Sequence, residues 1–170
     1  GADQGGPIAT VDELFDPADA ERVFWVSEIT QIFPKPGKED AVYNALKTKL
    51  PPTATVYRKF ELPSRWHIGQ SERIAPIIVV PSEGTTLTTR ERYGRMEKAG
   101  TLDRVRGSHG IDNETEQMRT LFIGHGGSFR RGFVAEPFPN VDIYGVMCKI
   151  LKIAPAKNDG DPLRYKALLR

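Results

Sequence analysis

The run Ile74-Ala75-Pro76-Ile77-Ile78-Val79-Val80 constrains this chain more than any other stretch. It is apolar throughout, and its β-branched core, Ile77 to Val80, is bounded by Pro76 and Pro81. It is short, and its branched side chains favour a strand over a helix. The run therefore reads as a short strand buried on both faces.

Other segments fall into place around it. Val23-Phe24-Trp25-Val26, continuing through Ile29 and Ile32-Phe33, reads as one strand, broken by Pro34-Lys35-Pro36-Gly37. From Lys38 to Leu50 the apolar positions Ala41, Val42, Ala45, Leu46 and Leu50 have helical spacing, and Pro51-Pro52 stops the helix. Thr53 to Phe60 alternates as a strand, so residues 23–60 form a β-α-β unit. Thr85 to Thr89 is expected to pair with the apolar run, and the charged residues 90–108 to run as an excursion over the surface. Leu121-Phe122-Ile123 is a further strand candidate. Asn140 is placed to cap a helix whose apolar stripe is Val141, Tyr144, Cys148 and Leu151, widened by Met147 and Ile150. Asp142 near its start and Lys149 and Lys152 near its end suit the helix dipole. Residues 1–20 read as a loop-like start with a short apolar stretch at Val11 to Phe15, and residues 155–170 as a tail. The fold class is α/β, with a β-α-β unit, a mixed sheet and a C-terminal helix.

At 170 residues the chain fits one domain or one part of a larger one. Its 39% apolar content supplies a core, which argues against disorder. The net charge is only +2 and the basic residues do not cluster beyond Arg130-Arg131, which argues against a nucleic-acid scaffold as partner. No apolar run reaches membrane-spanning length. The single cysteine, Cys148, reads as a small buried hydrophobe, or as one half of a disulfide whose partner lies outside the segment.

Three histidines are available for chemistry. His109 lies in Gly107-Ser108-His109-Gly110-Ile111-Asp112-Asn113. Close glycines allow a sharp turn that presents an imidazole to a metal, with Asp112 as a second ligand or outer-shell partner; the same pattern also suits a surface histidine beside an Asp-Asn turn. His125, between Gly124 and Gly126, reads as a turn histidine, and His67 beside Trp66 as a packed structural one. Phosphate-loop, H-E-x-x-H and C-x-x-C patterns are absent from the sequence. Asn113-Glu114-Thr115 is a glycosylation sequon.

Three stretches then carry a resemblance. Leu62-Pro63-Ser64-Arg65-Trp66-His67, followed by Glu72-Arg73-Ile74-Ala75-Pro76-Ile77, is the first. The second is Gly107 to Asn113 with Met118-Arg119-Thr120-Leu121-Phe122-Ile123-Gly124-His125-Gly126-Gly127 after it. The third is Phe138-Pro139-Asn140-Val141-Asp142-Ile143-Tyr144-Gly145-Val146-Met147-Cys148, with Ala154-Pro155-Ala156-Lys157-Asn158-Asp159-Gly160 closing. In order and spacing these resemble the nucleotide pyrophosphatase/phosphodiesterases of the alkaline phosphatase-like superfamily, over the C-terminal part of the catalytic domain.

The resemblance implies a zinc-dependent hydrolase of phosphodiester or pyrophosphate bonds, with two zinc ions and a threonine nucleophile. Its substrate would be a nucleotide or another small phosphodiester; family members divide between nucleotides and choline-containing lipids. It places His109 at the family's late metal histidine and assigns no role to His67 or His125. The nucleophile and the other zinc ligands belong to motifs N-terminal to the matching region, and Gly1-Ala2-Asp3 reads like the residues that follow the last of them. So no catalytic residue is expected within 1–170, a single partial domain, and zinc is not expected to bind tightly to this chain alone. Inactivity alone, self-association through a face left uncovered, and a secreted or membrane-anchored parent follow as expectations. The alternative is a non-catalytic α/β binding or interaction module.

Overall fold

A computed structural model describes residues 2–3, 6–26, 28–102 and 107–170. The chain divides into two compact units, Gly1–Thr120 and Leu121–Arg170. In the larger unit the strands are β1 (Ala2–Asp3), β2 (Ile8–Thr10), β3 (Ala20–Val26), β4 (Ile29–Pro34), β5 (Ala54–Arg58), β6 (Ile77–Pro81), β7 (Thr86–Thr88) and β8 (Gly107–Ser108). Two helices accompany them, α1 (Glu39–Lys49) and α2 (Arg90–Lys98). The fold is mixed α/β, with antiparallel pairing in a four-stranded sheet ordered β3-β4-β6-β5 and parallel pairing in the separate β2-β7 pair.

The apolar run becomes β6, an inner strand held by β4 through Thr30↔Val79 and by β5 through Val56↔Val79. All five of its residues are buried. Alternation sends Ile77 and Val79 to one face, where they join Ile32, Val42, Leu46 and Val56. It sends Ile78 and Val80 to the other, with Leu62, against which Tyr57 and Trp66 pack. Each such aliphatic side chain contributes about 1.5–3 kcal/mol when fully buried.

The expected β-α-β unit is present. Both β4 and β5 run antiparallel to β6, so they are parallel to each other with β6 between them, and α1 makes the crossover. Glu39 and Asp40 in its first turn and Lys47 and Lys49 in its last suit the dipole. Arg58 at the end of β5 reaches back to Glu39 (3.0 Å) and Asp40 (2.7 Å) and lies 4.2 Å over the Tyr43 ring. It thereby ties β5 to the start of α1.

Several expectations needed correction. The single strand expected through Val23 to Phe33 is a hairpin, β3 against β4, with Val26 opposite Ile29. Thr85 to Thr89 does not join the apolar run, because both edges of β6 are occupied; β7 pairs instead with β2, Ile8 opposite Thr86. The surface stretch 90–108 contains a helix that was not anticipated, α2, capped by the Thr89 hydroxyl, which accepts from the Arg92 amide at 3.0 Å. Residues 103–106 of that stretch lie outside the described residues. The start of the chain contributes β2 and the buried Val11 and Phe15.

The smaller unit holds α3 (Asp142–Leu151) and α4 (Pro162–Lys166) over a core of Val146, Tyr165 and Leu168, with Phe129 and Phe138 packed against it. Leu121-Phe122-Ile123 is exposed and forms no strand. The helix starts at Asp142, with Val141 at the cap position assigned to Asn140. Its buried face is also rotated from the expected stripe: Asp142, Gly145, Val146 and Cys148 are buried, whereas Val141, Tyr144, Met147 and Leu151 are exposed. Polar partners explain the rotation. The Asp142 carboxylate accepts from Arg164 Nε (2.7 Å), Arg164 Nη2 (3.0 Å) and the Asp161 amide (2.8 Å), which draw it inward and hold its pKa below the ordinary value against the opposing effect of burial. Gly145 receives the Tyr165 ring; a Cβ there would stand 2.3 Å from Tyr165 Cε1.

Ile77→Ala is expected to lower stability by about 2–4 kcal/mol in urea unfolding. Phe60→Ala, at a residue 80% exposed, should stay within about 0.5 kcal/mol; equal effects would deny β6 its organising role. In an ordinary helix interior Gly→Ala gains about 1 kcal/mol. Gly145→Ala should instead cost about 1–3 kcal/mol by overpacking, seen as a lowered Tm.

Candidate functional site

The loop carrying His109 leaves β8, which pairs antiparallel with β1, Ala2 opposite Ser108 and Asp3 opposite Gly107. Gly110 has φ 93°, a conformation that favours glycine, and it turns the chain immediately after the histidine. Ile111 is buried, while His109 is exposed. A turn follows from Asp112 to Thr115, closed by the Thr115 amide donating to the Asp112 carbonyl at 3.0 Å. The Glu114 amide donates to Asp112 Oδ1 at 3.0 Å.

The other half of the site comes from 47 residues earlier in the chain. Arg65 lies on a single 3₁₀ turn, Ser64–Trp66. Its Nη1 donates to Asp112 Oδ1 at 2.7 Å and to Asn113 Oδ1 at 3.0 Å, and its Nη2 donates to Asp112 Oδ2. Its Nε stands 3.5 Å from Glu114 Oε2. The guanidinium lies 5.5 Å from the Trp66 ring, which meets Tyr57 edge-on at 5.8 Å. The Arg65 hydrogen bond holds the Asp112 carboxyl below its ordinary pKa, burial opposes it, and the Glu114 amide assists. Beside this network an open cleft of about 480 Å³ is lined by Tyr57, Trp66, Glu83, Asp112, Glu114 and Thr115.

Asp112, left open as a metal ligand or outer-shell partner, is committed to Arg65. His67 is exposed and its ring is not packed as expected. What position 67 supplies is backbone: with φ 54° and ψ 22° it ends the turn, its amide donating to the Ser64 carbonyl at 3.1 Å. His125 is exposed between its glycines in the smaller unit. Among the described residues, no three His, Cys, Asp or Glu side chains come together as a metal site. A structural or catalytic zinc needs three or four protein ligands, so the described residues do not by themselves fit a zinc centre. Sequence reasoning missed Arg65 as the anchor of Asp112; the motif was visible, but nothing local tied it to a partner so distant.

A scan of family models matches residues 3–112 to "Type I phosphodiesterase / nucleotide pyrophosphatase". This chain belongs to that family. Among curated relatives it is similar to human ectonucleotide pyrophosphatase/phosphodiesterase family member 5, 37% identical over 143 residues, covering 84% of this chain and 28% of the relative. It is 34% identical over 162 residues to a bis(5'-adenosyl)-triphosphatase of Bos taurus, covering 95% of this chain and 33% of that one. Among solved structures it resembles human ectonucleotide pyrophosphatase/phosphodiesterase 5, with TM-score 0.82 and 32% identity over 95% of this chain and 40% of that one. An inactive threonine-to-alanine variant of the murine protein, in complex with AMP, has TM-score 0.81 and 30% identity over 96% of this chain and 41% of that one. The chain thus spans about a third of the curated relatives' length.

The Asp112–Arg65 pair has a defined acid response. A carboxylate with a lowered folded-state pKa contributes stability that is complete above the unfolded value of about 3.9 and is lost as pH falls through the folded value. Carbon-13 titration should place the Asp112 midpoint below the ordinary carboxylate value, and Arg65→Gln should raise it. An unchanged midpoint would sink the assignment of Arg65 as the cause.

Proposed function

We propose that this chain is part of a zinc-dependent nucleotide pyrophosphatase/phosphodiesterase, supplies His109 as one metal ligand, and is inactive alone. The observation that carries this is the register of β1 and β8: Asp3, where the family match begins, pairs with Gly107, and Ala2 pairs with Ser108, the residue before His109. Zinc, when bound in the whole enzyme, neutralises phosphate charge and helps activate the nucleophile. The inactivity of the murine threonine-to-alanine variant supports a threonine nucleophile, which lies outside this chain in our reading.

The AMP bound to that variant and the name of the Bos taurus relative support a nucleotide substrate. The names of the relatives support an extracellular or membrane-attached setting for the parent protein; among the described residues, no helix is long and apolar enough to cross a membrane. The second reading is a non-catalytic interaction module, favoured by the absence of a metal-ligand cluster among the described residues.

Metal analysis of the purified chain, with p-nitrophenyl thymidine 5'-phosphate as substrate, tests the first reading. Little zinc and no turnover are expected. About two zinc ions with turnover would overturn the claim of a partial site. A hybrid in which the upstream part of human member 5 leads into Ala2 should gain both zinc and activity. His109→Ala in that hybrid should lose more than the roughly 10–100-fold typical of an outer-shell change; unchanged zinc affinity would remove His109 from the ligand set. The exposed apolar residues of α3 also support self-association. Light scattering should show mass rising with concentration, and a strictly monomeric chain would refute it.

A further inference from the structure

We propose that Arg65 is the positioning residue for His109, holding the histidine's loop in one geometry by clamping Asp112. The proposal rests on the reading of His109 as a metal ligand and concerns what fixes that ligand in place.

The clamp acts on the loop just beyond its histidine. That loop leaves a two-residue strand, turns at once on Gly110, and carries its histidine exposed. Only two described anchors follow within the next three residues: the burial of Ile111 and the Asp112 carboxylate. Burial of one aliphatic side chain fixes a position but not a rotation. A planar guanidinium meeting a carboxylate through two N–H donors fixes both, because the two planes must coincide. Arg65 adds a third bond to Asn113 Oδ1, so it grips consecutive residues, and the Glu114 amide locks the same carboxylate from within the turn.

The arginine is itself held. Its turn is capped by His67 in the left-handed conformation, its guanidinium lies beside Trp66, and Trp66 packs with Tyr57 against the Leu62, Ile78 and Val80 face of the sheet. A continuous path of contacts therefore runs from β6 to the histidine loop. A metal ligand must be held to within about 0.5 Å of its working position, and this path supplies that restraint. The clamp joins the L-P-x-R motif to the H-G-x-D-N motif, so two patterns distant in sequence act as one device. Lysine would retain the charge but not the fork.

The test uses this chain with isotope-labelled histidines at fixed pH, in wild type, Arg65→Gln, Arg65→Lys, Asp112→Asn and the double variant Arg65→Gln/Asp112→Asn. His125, in the other unit, is the internal control. Both arginine variants should shift the His109 imidazole resonances, leave those of His125 in place, and speed amide exchange of residues 110–115 about tenfold or more. Lysine should not rescue, and the double variant should do no more than either single change, as one shared interaction requires. A His109 signal and loop exchange that ignore Arg65→Gln, or full rescue by lysine, would overturn the proposal. In the hybrid enzyme, Arg65→Gln should weaken zinc binding about 10–100-fold. If the loop loosens but His109→Ala leaves zinc affinity unchanged, the ligand reading fails and Arg65 is left as an anchor of a loop without a metal, which overturns its role as a ligand-positioning residue. If the loop does not move, the clamp fails whatever His109 does.

Discussion

Burial of β6 on both faces is the interaction on which the larger unit depends. A strand with apolar side chains pointing both ways must be covered twice and paired twice, and the chain meets all four demands. β4 and β5 occupy its edges, α1 and the early turns cover Ile77 and Val79, and the segment from Leu62 to Ile74 covers Ile78 and Val80. That second cover carries Arg65 and Trp66. The same requirement that fills the core therefore also places the arginine that grips Asp112.

A site shared in this way suits a chain that is one part of a larger catalytic domain. The described residues bring together a histidine loop, its clamp and an acidic, aromatic-lined cleft, but no complete set of metal ligands. Family membership and partial coverage point in the same direction, since relatives about three times as long contain the matched region. In our reading the chemistry is divided along the sequence, and this portion contributes geometry more than reactive groups.

Sequence patterning revealed β6, α1, β5 and the crossover between them, because proline boundaries and 3.6-residue spacing are local signals. It did not reveal where β7 pairs, because that outcome depends on which edges are already taken. It missed α2 because charge and Gly94 masked a helix with Met96 as its only buried residue. It assigned the face of α3 from hydrophobicity, whereas Arg164 and Tyr165 decide it by drawing in Asp142 and filling the space at Gly145. The sharp turn after His109 was legible through Gly110, whose φ is 93°. The grip of Arg65 on Asp112 was not, since no periodicity links residues so far apart in the chain.

The pairing of Ala2 with Ser108 has a kinetic consequence. These partners are separated by roughly a hundred residues, and closing a loop of that length from an unfolded chain costs about 4 kcal/mol of entropy. A ladder of two residue pairs returns too little to meet that cost early. It becomes favourable only after the four-stranded sheet has shortened the effective loop, so it closes late and opens early. The strand that delivers His109 is thus added near the end of folding, and the histidine loop is completed only on a scaffold that has already formed.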